Sequence, residues 1–165
     1  MKRKPFVAVI GRAQSGKTTV IRSLTGYPTG HPYSGDIVTD LAANRSIFVI
    51  DKSPQESGLT LTEFRRGLRR CVDEDSIIGF VLATQPSYPT SRLSLEAIFD
   101  AVSSHASLLP MAFLIDPGYS TPANRRLRDE VQARLDHFGV TLEYLDGRRF
   151  AHLNACRIRE LARLP

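Results

Sequence analysis

Eight consecutive residues near the start of the chain have the types and spacing of a loop that binds phosphate. They match the pattern G-x-x-x-x-G-K-[ST] without a mismatch, reading Gly11-Arg12-Ala13-Gln14-Ser15-Gly16-Lys17-Thr18. Glycines at both ends let the backbone curl so that successive N–H groups point at one anion, towards which the following helix also directs its positive dipole end. In this chemistry Lys17 supplies a charge between the β- and γ-phosphates of a nucleotide, and Thr18 offers its hydroxyl to Mg²⁺.

The pattern predicts a P-loop that binds a nucleotide, with Lys17 as a catalytic candidate as well. The nucleotide-binding candidates are Gly11, Ala13, Gln14, Ser15, Gly16, Lys17, Thr18 and Thr19. The mechanism requires a strand before such a loop and a helix after it. Both are predicted, because the apolar run Phe6–Ile10 precedes the loop and a helix over Lys17–Leu24, ended by Gly26, follows it.

Asp51 is the candidate for a carboxylate beside this loop. It ends the β-prone run Ser46–Ile50, which would bring it to the carboxyl edge of a parallel sheet. An Asp at the end of a strand could instead cap the next turn. With Lys17 and Thr18 already in place, we expect Thr18 and Asp51 to hold Mg²⁺, directly or through water.

The rest of the chain alternates short β-prone runs with helix-like segments, which is typical of an α/β fold with a mostly parallel sheet. The predicted strands are Phe6–Ile10, Asp36–Leu41, Ser46–Ile50, Ile77–Ala83, Met111–Ile115 and Val140–Leu145. Beyond the first helix, the predicted helices are Leu61–Val72, Leu93–Ala106, Pro122–Phe138 and Asn154–Leu164. The predicted loops are Tyr27–Gly35, Lys52–Thr60 and Thr84–Thr90.

The join between the second and third predicted strands determines their relative direction. It consists only of Ala42–Arg45, which permits an antiparallel hairpin but no crossover helix. We therefore expect one domain over residues 1–165, built as a three-layer sandwich of the P-loop NTPase kind. Its sheet would be mixed and six-stranded, with one antiparallel strand at Asp36–Leu41 and helices on both faces.

Composition and charge are those of an ordinary globular domain, with 42% hydrophobic and 24% charged residues. No apolar run approaches the roughly 20 residues of a membrane span. The two cysteines, Cys71 and Cys156, stand far apart and suit a reducing cytoplasm better than a disulfide framework or a zinc site. The net charge of +5 reflects arginines at 65–70 and 125–163, which we interpret as solvated helix faces in preference to a surface for nucleic acid or another acidic partner.

The segments Gly11–Thr19 and Val49–Asp51 resemble those of the Ras-like small GTPases, and the predicted topology of the whole chain is similar to theirs. Among these, the GTPase-like proteins of bacterial ethanolamine and propanediol utilisation operons are similar in size and in the start G-x-x-x-x-G-K-T-T. The resemblance implies a bacterial cytoplasmic protein that binds GTP or GDP with Mg²⁺ and has a protein partner. It also assigns to Gln55 the role of orienting attacking water, as a second catalytic candidate; the alternative is an ordinary polar loop residue.

The sequence departs from the small-GTPase pattern around the γ-phosphate. Small GTPases follow the strand-end Asp with two residues and a Gly whose N–H contacts that phosphate, whereas this chain has Pro54, which has no N–H. The amide of Gln55 or Glu56 would have to replace that contact. The Thr that closes on Mg²⁺ is also not marked by a motif, although Thr29 and Ser34 are both available.

The guanine-reading motif N-K-x-D is absent after the fifth predicted strand, where the chain reads Asp116-Pro117-Gly118-Tyr119. Asp116 is a candidate to contact a base edge, and the alternative is that it starts a turn. The sequence therefore does not separate guanine from adenine, and ATP stays open as a ligand.

Three functions from different classes fit these observations. The first is a degenerate small GTPase that binds a Mg²⁺-nucleotide, hydrolyses it slowly or not at all, and acts as a regulator. The second is an interaction module that keeps the fold without turnover and uses its arginine-rich helices and its prolines at 28, 32, 86 and 89 to dock a partner. The third is a small ATPase or P-loop kinase, for which the arginines at 65–70 would imitate a lid.

Overall fold

A sheet forms the middle layer of the protein, which a computed structural model describes over residues 3–26, 37–40, 45–86, 93–116 and 122–164. The strands are β1 (Lys4–Ile10), β2 (Ile37–Asp40), β3 (Arg45–Ile50), β4 (Ile77–Thr84), β5 (Leu108–Asp116) and β6 (Leu142–Asp146). They are arranged in the order β2-β3-β4-β1-β5-β6, and the five strands from β3 to β6 in this order run parallel to one another. The predicted α/β class with a parallel sheet is confirmed.

The edge strand β2 pairs antiparallel with β3, with Ile37 opposite Phe48 and Asp40 opposite Arg45. Asp36 and Leu41, the two ends of the strand predicted here, lie outside the described residues. So do Ala42, Ala43 and Asn44, which join β2 to β3. The candidate switch residues Thr29 and Ser34 lie outside them as well.

Helices cover both faces of the sheet. They are α1 (Lys17–Thr25), α2 (Pro54–Ser57), α3 (Leu61–Asp73), α4 (Leu95–Ser103), α5 (Pro122–Asp136) and α6 (Ala151–Ala162). The five longer helices were all predicted, with ends that differ by a few residues. None of the described helices is both long and apolar enough to cross a membrane.

The alternation of β1 divides the core into two layers. Phe6, Ala8 and Ile10 pack on the face covered by α3, α4 and α5, whereas Val7 and Val9 pack on the face covered by α1 and α6. All five side chains are buried, because a central parallel strand has helices on both of its faces. The continuous apolar run in the sequence is therefore explained by burial from both sides.

The prediction of an unbroken loop over Lys52–Thr60 was wrong, because the short helix α2 lies within it. Pro54 is its first helical residue, where the fixed φ suits a helix and the missing N–H would have no intrahelical acceptor. The Glu56 carboxylate accepts a bond from the Ser53 N–H at 3.2 Å, and Gly58 ends the helix at a φ of 70°. These local bonds stabilise a turn that hydrophobic periodicity does not reveal.

Helix α3 places its arginines in solvent and its small residue against the sheet. Arg65, Arg66, Arg69 and Arg70 are exposed, as predicted. Gly67 is buried against Phe48, and a Cβ at this position would lie 3.0 Å from two carbon atoms of that ring. The ring is itself stacked on Phe80, with 4.8 Å between the centroids, so it has little room to move.

We predict that Gly67→Val destabilises the protein by about 1–3 kcal/mol, because the added methyl groups overpack the contact with Phe48. The measurement is urea unfolding, with a lower midpoint at an unchanged slope. Arg69→Val introduces the same β-branched residue on the exposed face of α3 and should change the stability by no more than about 0.5 kcal/mol. Equal losses in the two variants would contradict the tight packing.

Candidate functional site

The residues predicted to bind phosphate lie at the carboxyl edge of the sheet, next to its central strand. The segment Gly11–Thr18 follows β1, which is flanked by β4 and β5, and the Gly11 N–H donates to the Thr84 carbonyl at 3.1 Å. Ligands of open parallel sheets bind in the crevice outside the carboxyl ends of the strands. Asp51, Gln85 and Asp116 lie at or directly beyond the ends of β3, β4 and β5 at this same edge.

The two glycines of the segment are needed for different reasons. At Gly11, a Cβ would lie 2.3 Å from the Ser15 hydroxyl oxygen, so the loop closes on itself there without room for a side chain. Gly16 has a φ of 93°, which side chains with a Cβ rarely adopt, and it leads directly into α1. Gln14 also has a positive φ, of 60°. The curled backbone expected from the pattern is present.

Lys17 folds back over the loop. Its Nζ donates to the Gly11 carbonyl at 2.9 Å and to the Arg12 carbonyl at 2.7 Å, and its side chain is buried. Burial lowers the pKa of this ammonium from its usual 10.5, and the nearby charge of Glu56 partly opposes the shift. Within the described part of the chain, no carboxylate lies within 4.0 Å of the Lys17 ammonium. The positive charge of Lys17 is therefore stabilised by the Gly11 and Arg12 carbonyls, and an anion bound there would neutralise it.

Thr18 and Asp51, the two predicted metal-site residues, are brought together. The Thr18 hydroxyl donates to the main-chain carbonyl of Asp51 at 2.8 Å, which ties the first turn of α1 to the end of β3. The Asp51 side chain is 1% exposed. Burial raises the pKa of its carboxyl, opposed first by the neighbouring Arg22 guanidinium.

Arg22 is a site residue that the sequence reasoning missed. Its Nη2 lies 3.3 Å from Oδ2 of Asp51, and its side chain is 23% exposed. The signal was present, because residues four apart on a helix share a face and Arg22 follows Thr18 by four. A basic residue at that spacing after the Thr of the loop is directed at the same strand end as the hydroxyl.

The donor set around Thr18 fits Mg²⁺. Oδ1 of Asp51 is buried and has no hydrogen-bond partner among the described residues, and the Thr18 hydroxyl, which donates its proton, keeps its lone pairs. No group of three or more His, Cys, Asp or Glu side chains that could hold a metal occurs in the described ranges. Mg²⁺ does not need one, since it is commonly held by one or two carboxylates together with substrate phosphates and water.

Gln55, the second catalytic candidate, lies in α2 with its side chain directed at the end of β4. Its Oε1 accepts a bond from the Gln85 N–H at 3.4 Å, and Gln85 Nε2 donates to the Ser53 hydroxyl at 3.3 Å. The Glu56 amide, one possible replacement for the contact that Pro54 removes, donates to the Ser53 carbonyl at 2.9 Å. The segment after Asp51 is thus held by bonds to itself and to Gln85, directly after β4.

Asp116 is the last residue of β5 and lines a cavity of about 250 Å³ together with residues 12–15 of the loop. It is 2% exposed. Its Oδ1 accepts from Asn124 Nδ2 at 2.8 Å, and its main-chain oxygen accepts from the Gly147 N–H at 2.5 Å. Asn124 and Gly147, which also line the cavity, are further residues that the sequence reasoning missed.

The remaining nucleotide-binding candidates lie at the surface of the same loop. Ala13, Gln14, Gly16 and Thr19 are exposed, and Ser15 is half-buried. The Ser15 hydroxyl oxygen is buried and has no hydrogen-bond partner among the described residues. All the predicted loop residues therefore lie together, beside Asp51 on one side and Asp116 on the other.

A scan against protein-family models finds no match for this chain, and a search of curated proteins finds none either.

We predict that Lys17→Met raises the melting temperature of the ligand-free protein at neutral pH. Because the folded pKa of Lys17 lies below 10.5, the folded state holds this proton less tightly than the unfolded chain, and the charge opposes folding. Each kcal/mol gained should raise the midpoint by about 2–4 °C. The difference in melting temperature between Lys17→Met and the wild type should narrow as the pH rises from the folded pKa towards 10.5. The wild type gains stability in that pH range, because its folded state no longer carries the buried charge.

Differential scanning calorimetry at several pH values measures this effect, with Lys52→Met as the control. Lys52 is exposed, so its replacement should change the stability by no more than about 0.5 kcal/mol. A lower melting temperature for Lys17→Met at neutral pH would show that the bonds to the Gly11 and Arg12 carbonyls outweigh the cost of burying the charge.

Proposed function

We propose that this chain is a P-loop protein of the small-GTPase type, which binds a Mg²⁺-nucleotide and turns it over slowly. One observation carries the proposal: a buried ammonium, Lys17, is held by carbonyls of a curled loop at the start of a helix, without a carboxylate partner among the described residues. A phosphate chain supplies the missing negative charge, and helix N-termini favour such an anion. A regulatory role follows from the slow turnover.

The phosphates would lie on the segment Gly11–Thr18. The first amides of α1 have no intrahelical acceptor, so they are donors for phosphate oxygens, and the Lys17 ammonium adds a charge-assisted bond. The Ser15 hydroxyl, which has no hydrogen-bond partner among the described residues, offers one more donor. Thr18 and Asp51 would hold Mg²⁺, which neutralises charge on the phosphates when it is bound.

The base would occupy the cavity beside Asp116. A buried carboxylate accepts from N–H groups of a base edge, and Asn124 holds that carboxylate in place through its bond to Oδ1. Guanine offers two adjacent N–H groups to one carboxylate, whereas adenine offers its amino group. Guanine nucleotides are therefore our first choice, and ATP the second.

Slow turnover is part of the proposal, because the usual γ-phosphate donor is lacking. Pro54 has no amide proton, and the Glu56 amide is bound to Ser53. Gln55, the residue proposed to orient water, bonds to the Gln85 amide. Each of these groups would have to rearrange before it could act on a triphosphate, which supports a protein that holds nucleotide longer than it hydrolyses it.

The interaction-module alternative is favoured by a second cavity, of about 410 Å³, between β3 and α3. Its floor contains Phe48 and Ile50, and Arg66 and Arg70 line it as well. It shares no lining residue with the cavity at Asp116. The kinase alternative is weakened by the same geometry, because these arginines line a different cavity from the one formed by the phosphate loop.

Competition binding with GTP, GDP and ATP in the presence of Mg²⁺ tests the proposal. We expect binding with a guanine preference; an adenine preference would favour the ATPase or kinase, and absence of binding would favour the interaction module. Lys17→Met should weaken binding about ten- to hundredfold, because it removes a charge-assisted contact. Arg157→Gln, which removes one charge from the exposed face of α6, should bind like the wild type.

We also predict slow single-turnover hydrolysis and similar affinities for di- and triphosphate. A lost donor typically costs about 10²–10³ in rate. Pro54→Ala restores an amide proton without the freedom of glycine, and it should increase both the rate and the preference for triphosphate. A fast wild-type hydrolysis rate, or a strong wild-type preference for triphosphate, would contradict this prediction. The site would then function despite Pro54, and the protein would be a nucleotide-dependent switch.

A further inference from the structure

The Arg22–Asp51 ion pair changes the charge balance of the proposed phosphate site. The Asp51 carboxylate is buried at the end of β3, and its main-chain carbonyl is bonded to Thr18 in the first turn of α1. A carboxylate so close to a phosphate chain repels it unless a cation lies between or beside them. In a site of this type Mg²⁺ is that cation, whereas here a guanidinium already lies 3.3 Å from the carboxylate.

Arg22 is well suited to act as a permanent counter-cation. It is always charged, and its position is fixed by the helix that also carries Lys17 and Thr18. Lys52 follows Asp51 and also lowers the pKa of that carboxyl, but it is exposed to solvent and its effect is smaller than that of Arg22. Lys17 and Arg22 together carry two positive charges against the one negative charge of Asp51. The exposed Glu56 adds a further negative charge that Lys17 senses.

We propose that Arg22 balances the charge of Asp51 in place of the metal, so that the site binds a diphosphate group with little dependence on Mg²⁺. The inference rests on the proposed function, because it concerns the same phosphate site. Oδ1 of Asp51 stays available to a metal, so Mg²⁺ still adds affinity, but binding does not require it. Arg22 acts through Asp51 and is a positioning residue.

Titration calorimetry with inorganic pyrophosphate on the full chain, in EDTA and in excess Mg²⁺, tests the inference without any assumption about the base. The wild type should bind in both buffers, with affinities that differ by less than about tenfold. Arg22→Gln should lose about ten- to hundredfold in EDTA and recover close to wild-type affinity in Mg²⁺, because it leaves the carboxylate unbalanced until the metal arrives. Arg22→Lys, which keeps the charge, should behave like the wild type, as should Arg157→Gln.

Each other outcome is decisive. If the wild type binds pyrophosphate only with Mg²⁺, the inference is overturned and the proposed function stands. If it binds in neither buffer, the inference is overturned, and the competition with GTP, GDP and ATP decides the proposed function. If Arg22→Gln weakens pyrophosphate binding equally in the two buffers, Arg22 has only a structural role between α1 and β3, and the inference is overturned. Should Arg22→Gln fail to fold, Arg22→Gln/Asp51→Asn removes the whole pair and should bind in EDTA about as tightly as the wild type. If this double variant binds pyrophosphate in Mg²⁺ but not in EDTA, the inference is also overturned.

Discussion

The parallel pairing of β1 with β4 on one side and β5 on the other determines where the candidate site lies. In this register Ile10 is level with Thr84 and with Leu114, so the chain leaves the sheet between two strands that end at the same edge. The Gly11 amide continues the ladder by one more bond, to the Thr84 carbonyl. The turn that follows has no space for a side chain at Gly11, where a Cβ would meet both the Ser15 hydroxyl and, at 3.1 Å, the Ile115 carbonyl. The loop is therefore packed between the sheet edge and its own first turn.

Buried charged side chains lie around this edge of the sheet with few partners of opposite charge among the described residues. Lys17 has carbonyl partners but no described carboxylate, and its lowered pKa shows that burial disfavours the charge. Arg22 lies beside one oxygen of the Asp51 carboxylate, and the second oxygen has no hydrogen-bond partner among the described residues. Leaving buried polar atoms in this state costs free energy, and sites of function are where proteins commonly tolerate such a cost.

The strands and helices could be predicted from the sequence wherever their buried faces produce a regular pattern of apolar residues. The runs that became β1, β3, β4 and β5 are continuous and apolar because helices cover both faces, and α3 shows its inward face every three or four residues. Helix α2 was missed because four residues are too few to show hydrophobic periodicity. It is indicated only by the capping residues Ser53 and Glu56 and by Pro54 at the first helical position. For the candidate site, Lys17 and Thr18 could be predicted directly, because both belong to the loop motif. Arg22 was readable from helical spacing, but Asn124 and Gly147 were not, since only the packing of α5 and the turn after β6 brings them to Asp116.

The departures from the small-GTPase pattern form a consistent set when they are considered together. The part of the site that would grip the first two phosphates is complete: the curled loop, the helix start, Lys17 and Thr18. The positions that contact a third phosphate in small GTPases are altered here, because Pro54 has no amide proton and Gln55 accepts a bond from the Gln85 amide directly after β4. Arg22 and Asn124 add bonds within the protein to the carboxylates of Asp51 and Asp116, respectively, which hold these two side chains in place. In a site whose charged side chains are already oriented, less free energy is spent on ordering them when a ligand binds. Under the proposed function, the protein would hold nucleotide longer than it hydrolyses it, and Asp116 and Asn124 beside the proposed base cavity would set its specificity more than contacts to the γ-phosphate would.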